Sequence, residues 1–283
     1  MKTKKHTSRA VNKTPERDLY QLVTDRIVTA IENGVPPWKR PWRSARNGAG
    51  EPEMMPVNAL TGKPYTGVNV LLLWLTADEA GYASNHWLTY RQAQQLGGHV
   101  RKGEVATLAV IYKDWKRQAV DEHGNRLTDS EGEPLMETVP VLNGSGVSVS
   151  SLPQDRAFYR PDTDRIVMPL SSQFYSVADY WTTLLHELVH STGHEKRLRR
   201  AGISSFAGRK SPEYAFEELI AEMGSAFLCA HLGITGDVQH ESYIDGWLNV
   251  LKSDKKALFR ACRQAREASE YLLMQRASQA RGA

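Results

Sequence analysis

The sequence is poor in cysteine and contains no long apolar run. Its 283 residues include two cysteines, Cys229 and Cys262, which exclude a disulfide framework and are expected to be reduced thiols in the cytoplasm. The longest uninterrupted apolar stretch covers residues 70–75, whereas a membrane span needs about 20 residues. The basic opening MKTKKHTSRAVNK has no apolar core, so we do not expect a secretory signal. We therefore expect a cytoplasmic protein without a membrane partner.

The charge is distributed unevenly along the chain. The net charge is +4, but residues 1–117 carry 18 basic and 10 acidic side chains, whereas residues 118–283 carry 18 and 22. A basic first part is typical of proteins that bind a polyanion, most often a nucleic acid, although an unevenly charged ordinary surface is the alternative. The hydrophobic content of 41% excludes wholesale disorder and suffices for one large or two ordinary domains.

Two segments with little apolar content divide the chain. The opening residues are polar and basic, and an acidic stretch, DEHGNRLTDSEGEP, is followed by the small polar sequence NGSGVSVSSLPQ. The second of these is typical of a flexible linker. We therefore predict a disordered basic arm at 1–15, a first domain at 16–140, a Ser/Gly-rich linker at 141–155 and a second domain at 156–283.

The spacing of apolar residues predicts an α+β protein. From Leu19 to Ile31 they recur at intervals of three and four, which indicates an amphipathic helix. Phe158–Tyr159 and Asp164–Pro169 are typical of two paired strands. Further helices are predicted at roughly 89–96, 176–192, 211–232, 240–252 and 254–276, a strand at 105–112, and either a helix or a strand at 68–75.

The sequence His186-Glu187-Leu188-Val189-His190 matches the H-E-x-x-H pattern. On a helix, residues i and i+4 share a face, so the imidazoles of His186 and His190 can bind one Zn²⁺. The pattern places Glu187 where it can act as general base on a metal-bound water. The alternative is two surface histidines on a helix.

A zinc site of this class needs a third protein ligand. The metzincin pattern would place this ligand at Lys196, whose ammonium cannot coordinate a metal. His194 lies one helical turn after His190, an offset that fits no known ligand pattern. A downstream helix offers Glu218, which we favour because a glutamate from a second helix completes gluzincin-type sites. Glu222, one turn later, is predicted to orient a ligand imidazole. The alternative for Glu217, Glu218 and Glu222 is a solvated acidic face.

A segment rich in tryptophan and basic residues suggests contact with nucleic acid. Indole rings can stack on unpaired bases while cations follow the phosphates, which favours single-stranded DNA over a duplex. The alternative is ordinary core tryptophans beside solvated cations. The candidate DNA-binding residues are Trp38, Lys39, Arg40, Trp42, Arg43, Lys63, Tyr65, Arg101 and Lys102.

Several long segments together resemble the ArdC antirestriction proteins of conjugative plasmids, whose N-terminal domain is shared with TraC-type plasmid primases. The resemblance extends from about residue 17 to residue 272. Its segments are PPWKRPW, NALTGKPYTGVNVLLL, WLTYRQAQQLGGHVRKGE, YRPDTDRIVMP, YWTTLLHELVHSTGHEKRL and YAFEELIAEMGSAFLCAHLGI.

This resemblance implies two domains, an N-terminal α+β domain that binds single-stranded DNA and a mostly helical, zincin-like domain of gluzincin type. It implies protection of incoming plasmid DNA from restriction, chiefly type I, during conjugation. It supports His186, His190 and Glu218 as metal positions and Glu187 as the catalytic glutamate. It leaves open whether the zinc site is a working metallopeptidase that acts on a restriction endonuclease or another host protein.

Two other interpretations are compatible with the sequence. In one, the chain is a regulatory zinc protease that DNA binding directs to its substrate. In the other, it is a non-enzymatic single-stranded-DNA-binding protein whose zinc site is not hydrolytic. The sequence does not determine the oligomeric state.

Overall fold

A computed structural model describes residues 18–38, 54–110, 147–204, 211–234 and 244–279, with side chains as far as residue 273. The predicted arm at 1–15 lies outside these residues, as do the candidate DNA contacts Lys39, Arg40, Trp42 and Arg43. Among the described helices, none combines the length and hydropathy that a membrane-spanning helix requires.

The described chain is mixed α+β, with helices predominating. The helices are α1 (Leu19–Glu32), α2 (Val68–Ala80), α3 (Tyr90–Gln95), α4 (Val177–Thr192), α5 (Ala201–Ser204), α6 (Pro212–Leu232), α7 (Ile244–Ser253) and α8 (Ala257–Gln279). The strands are β1 (Val57–Asn58), β2 (His86–Trp87), β3 (Ser148–Leu152), β4 (Phe158–Arg160) and β5 (Arg165–Pro169). Strands β1 and β2 pair in parallel, while β5 lies between a parallel β3 and an antiparallel β4.

The first helix confirms the prediction from apolar spacing. In its apolar stripe Val23, Ile27 and Ile31 are almost fully inaccessible to solvent, whereas Leu19 and Leu22 are exposed. The Asp18 carboxylate caps the helix, accepting hydrogen bonds from the backbone N–H groups of Tyr20 at 3.0 Å and Gln21 at 3.3 Å. The paired strands predicted at 158–169 and the helices predicted between residues 176 and 276 are present as well.

Residues 68–75, which were compatible with a helix or a strand, form the first part of α2. This helix begins after Gly67 and ends at Gly81, both with positive φ, which favours glycine at these positions. Its Trp74 is buried, and the indole N–H donates to the carbonyl of Met54 at 2.8 Å. The strand predicted at 105–112 is not formed in its described part, because residues 105–110 have no regular structure.

Helices α4 and α6 approach each other closely. A Cβ atom on Gly224 of α6 would lie 2.9 Å from Val189 Cγ1 of α4, so the contact requires a residue without a side chain. Helix α6 is buried from Glu217 to Ala230, with α8 packed against it as well. The interpretation of its glutamates as a solvated acidic face is therefore wrong.

Helices from both predicted domains share one hydrophobic core. The rings of Trp38 and Trp247 meet edge to face with centroids 5.8 Å apart, and those of Tyr20 and Phe259 with centroids 4.7 Å apart. Trp38 is 2% exposed. The prediction that Trp38 stacks on DNA bases is therefore wrong, because neither ring face is open to a base.

The predicted linker at 141–155 contains a strand. Its residues 148–152 form β3, which pairs with β5 over the register Ser148–Arg165 to Leu152–Pro169. Alternating serines gave this segment a linker-like composition. The pairing with β5, however, joins this segment to a sheet through backbone hydrogen bonds along one of its edges. This part of the prediction is wrong, and residues 148–152 belong to the second domain.

Candidate metal centre

Helix α4 carries the H-E-x-x-H pattern in its second half. The Ser176 side chain caps the helix by accepting from the backbone N–H of Asp179 at 3.0 Å. His186 and His190 are 2% and 7% exposed. Buried imidazoles one helical turn apart are unusual on a soluble surface helix, so the alternative of two surface histidines is wrong.

The two imidazoles and the Glu218 carboxylate form a compact triangle. The Nε2 atoms of His186 and His190 are 3.1 Å apart. Glu218 lies 3.4 Å from the first through Oε2 and 3.5 Å from the second through Oε1. Four ligands arranged tetrahedrally at about 2.0–2.1 Å from Zn²⁺ are about 3.3 Å apart. The donor set and its spacing therefore fit a metal ion bound by these three side chains.

The two other positions considered for the third ligand, Lys196 and His194, are not part of this triangle. The helix ends at Gly193, after which the chain turns, and Lys196 is exposed. His194 is buried, but its Nδ1 accepts a hydrogen bond from the backbone N–H of Lys196 at 3.2 Å. Among the described residues, His186, His190 and Glu218 are the one set grouped closely enough to hold a metal.

Sequence reasoning missed two residues that support this site, Glu217 and Arg200. Glu217 Oε1 lies 3.3 Å from His190 Nδ1. Arg200 donates to both oxygens of the same carboxylate, from Nη2 to Oε1 at 2.6 Å and from Nε to Oε2 at 2.9 Å. The side chains of Glu217, Arg200 and His190 are all buried. The only signal in the sequence was the adjacent acidic pair EE in the second turn of α6.

The electrostatics of this cluster follow from its buried charges. Burial alone would raise the pKa of Glu217, but the Arg200 charge and the hydrogen bonds from His190 and Arg200 hold that pKa below its usual value. Burial would likewise lower the pKa of His190, but the charge of Glu218 and hydrogen bonds to Glu217 and Glu218 raise it to about 10. The carboxylates therefore stabilise positive charge at the site.

Two further buried glutamates border the triangle. Glu187 lies between the histidines in α4 and is 6% exposed, and Glu222 in α6 is 5% exposed. Burial alone would lower the pKa of His186, but a hydrogen bond with Glu218 and the charges of Glu218 and Glu222 raise that pKa above its usual value. Several carboxylates concentrated in a buried site favour a bound cation, because a cation offsets their mutual repulsion.

A second arginine ties the same end of α4 to the sheet. Arg197 donates to the carbonyl of Ser191 at 2.7 Å and forms a two-pronged ion pair with Asp164 in the turn between β4 and β5. The Tyr159 hydroxyl also donates to Asp164, at 2.8 Å. Tyr159 is therefore engaged in this network, which holds the loop after α4 in place.

The described DNA-binding candidates lie in the first part of the chain. Lys63, Arg101 and Lys102 are exposed, whereas Tyr65 is half-buried and packs against the core. Arg101 forms an ion pair with Glu104 at 2.7 Å. Their contact with DNA remains a prediction.

The H-E-x-x-H helix, with a glutamate supplied by a second buried helix, defines the second domain as zincin-like and of the gluzincin type. A sequence model of a zincin-like metallopeptidase domain matches residues 137–264. A model of the N-terminal domain of the anti-restriction factor ArdC matches residues 17–147. Together these matches account for both parts of the chain.

The chain belongs to the family of ArdC-type antirestriction proteins. It is similar to the metal-free crystal structure of the antirestriction ArdC protein from the R388 plasmid, with a TM-score of 0.72 and 38% sequence identity. The match covers 92% of this chain and 98% of that one. The Mn(II)-bound structure of the same protein gives 38% identity, a TM-score of 0.70 and coverages of 91% and 97%.

Curated relatives extend the comparison. An uncharacterized protein, y4eC of Sinorhizobium fredii, is 33% identical over 92% of this chain and 94% of its own length. A DNA primase TraC of Escherichia coli is 32% identical over 93% of this chain. The chain spans only 20% of the length of that primase, so the similarity concerns one part of it.

Proposed function

We propose that the protein binds single-stranded DNA in the cytoplasm and protects incoming plasmid DNA from restriction, chiefly type I, during conjugation. The observation that carries this proposal is the similarity to the R388 antirestriction protein, which extends over nearly the full length of both chains. The basic first part and the match to an ArdC N-terminal domain support DNA as the ligand. The partner attacked or blocked in the recipient is proposed to be a restriction endonuclease or another host protein.

The metal that we propose is Zn²⁺, bound by His186, His190 and Glu218. Two imidazoles and one carboxylate are a donor set typical of catalytic zinc, which when bound polarises a carbonyl and acidifies water. Glu187, which lies between the two histidines in the sequence of α4, is proposed to take up a proton through its carboxylate and pass it to a leaving amine. Glu222 is proposed to help orient His186.

Replacing Glu187 by glutamine tests whether the site does chemistry. If protection requires hydrolysis, the variant should bind zinc as wild type does but lose most plasmid survival in a recipient with a type I restriction system, because the amide cannot accept the proton. The matched control is Glu213→Gln, an exposed glutamate on α6. Survival and zinc content are measured together, with expression checked.

The outcomes of this experiment separate the three interpretations. Loss of protection with zinc retained supports a metallopeptidase mechanism. Equal protection by both proteins leaves DNA binding as the mechanism and the zinc site as non-hydrolytic. Failure of wild type to protect contradicts the antirestriction proposal and favours a regulatory protease that DNA binding directs to its substrate.

We propose that the DNA-binding surface includes the region around α3. Asn58 Nδ2 donates to Gln92 Oε1 at 3.0 Å and the Ala59 N–H donates to the Trp87 carbonyl at 3.1 Å, so the turn after β1 lies against the start of α3. Residues 57–66 and 84–103, which these contacts join, contain no acidic residue. They contain the exposed cations Lys63, Arg91, Arg101 and Lys102.

Tyr90, the first residue of α3, supplies an exposed aromatic ring in this region. It is 62% exposed, unlike the buried Trp38. Stacking of a base on such a ring contributes about 1–3 kcal/mol. Tyr90→Ala should therefore weaken binding to a labelled oligothymidylate by about tenfold. The control Tyr175→Ala removes a fully exposed ring from the second domain and should leave binding unchanged.

The salt dependence of the same binding curves tests the cations. A Lys63→Ala, Lys102→Ala double variant should bind more weakly and show a shallower decrease of affinity with salt, because fewer phosphate contacts release counterions. Wild-type affinity in both the Tyr90 and the lysine variants would contradict the proposed surface.

A further inference from the structure

The loop after α4 returns to the back of the metal triangle through close packing. The backbone N–H of Arg200 donates to the Gly193 carbonyl at 2.9 Å. A Cβ atom on Gly193 would lie 2.6 Å from Ile203 Cγ1. A Cβ on Gly202 would lie 2.7 Å from Glu217 Cβ of α6. Two glycines therefore allow this loop to fit between the C-terminal end of α4 and the start of α6.

Arg200 bonds to both helices from this loop. On α4 its guanidinium donates to the Val189 carbonyl and to Thr192 Oγ1, each at 2.7 Å. On α6 it donates to both oxygens of Glu217. A planar guanidinium that binds a carboxylate through two nitrogens fixes its orientation, which a lysine cannot do.

Glu217 transmits this orientation to His190. Its Oε1 faces Nδ1 of the imidazole at 3.3 Å, while Nε2 of the same ring faces Glu218 and His186. A hydrogen bond from Nδ1 leaves Nε2 as the nitrogen that can bind a metal. Glu217 thus contacts the edge of the ring that points away from the metal triangle.

We propose that Arg200 and Glu217 are positioning residues that set the metal affinity of the site by fixing the ring orientation and tautomer of His190. The inference rests on the proposed metal site, and it assigns a function to the loop of residues 193–204, which contains no metal ligand. Neither residue belongs to the metal triangle. Arg200 acts through Glu217, and Glu217 acts through His190.

The test compares zinc affinity in Glu217→Gln, Arg200→Lys and the double variant Arg200→Met, Glu217→Gln. Zinc dissociation constants are measured by competition with a chromophoric chelator, and the visible spectrum of the Co²⁺-loaded protein reports ligand geometry. Loss of such a supporting residue lowers metal affinity by about 10–100-fold. We expect Glu217→Gln and the double variant to fall in this range and Arg200→Lys to lie between them and wild type.

The double variant and a control guard against a general loss of folding. Removing both charges avoids leaving one of them buried and unpaired. The control is Arg197→Met, which removes the other buried arginine of the loop, one that pairs with Asp164 and not with the metal cluster. It should lower the unfolding temperature of the metal-free protein while leaving zinc affinity and the Co²⁺ spectrum close to wild type.

Each result decides a different claim. Wild-type zinc affinity in the Glu217 and Arg200 variants would overturn the positioning role while leaving the metal site intact. An equal loss of affinity in Arg197→Met would overturn it too, because general packing of the loop would then explain the effect. A wild-type protein that binds no zinc would contradict the metal site itself.

Discussion

Replacing Glu218 by glutamine is expected to abolish stable zinc binding. Among the residues that the structure describes, Glu218 is the one whose carboxylate lies close to both imidazoles, at 3.4 and 3.5 Å. Loss of a supporting residue lowers metal affinity by about 10–100-fold. The loss of affinity in Glu218→Gln should be larger, because the substitution removes a charged ligand. Zinc content after dialysis, measured by mass spectrometry, should fall from near-stoichiometric to background.

His190→Ala should have the same effect, because it removes a second corner of the triangle. The matched controls are Glu213→Gln and His231→Ala, which alter exposed residues near either end of α6. Both should retain full zinc content. A Glu218→Gln protein that keeps its zinc while folded would show that the third ligand lies elsewhere.

Replacing Trp247 by alanine is expected to destabilise the protein by about 3–5 kcal/mol, as for other buried tryptophans. Trp247 is fully buried, and its ring packs against Trp38 from the other matched region of the chain. Trp38→Ala should be destabilising in the same way. The free energy of unfolding is measured by urea denaturation.

A double-mutant cycle between these tryptophans tests the shared core. Aromatic pairs in contact contribute about 0.5–1.5 kcal/mol beyond their buried area, so the two substitutions should not be additive. Tyr175→Ala, at a fully exposed ring, should change stability by less than about 0.5 kcal/mol. Additive losses, or separate unfolding transitions for the two regions, would contradict a single core.

Features encoded locally could be predicted from the sequence. The apolar spacing predicted α1 within a residue or two, because the amphipathic pattern of a helix is a local property. The histidines of the H-E-x-x-H pattern are brought together by the geometry of one helical turn. The choice of Glu218 required only that a second helix carry a glutamate to the same place.

Features that depend on tertiary packing could not be predicted. Trp38 lies in a sequence full of cations, and only the partner Trp247, more than two hundred positions later, makes it a core residue. Segment 148–152 has a linker composition and becomes a strand by pairing with β5. Glu217 is distinguished from its neighbours only because the loop after α4 places Arg200 against it.

These two classes of feature meet in the metal centre. The three side chains of the triangle come from short, recognisable patterns. Their burial depends on the α4–α6 contact at Gly224, and Arg200 reaches them from the loop after α4 through Glu217. This division explains why sequence reasoning named the triangle and missed its support.

The most direct test of this account is an anomalous difference map, measured at the zinc absorption edge on crystals grown with stoichiometric zinc. The account predicts one strong peak at about 2.0–2.2 Å from His186 Nε2, His190 Nε2 and a Glu218 carboxylate oxygen. A crystal that contains zinc but has no peak between these atoms, or has its peak at His194 instead, would contradict it.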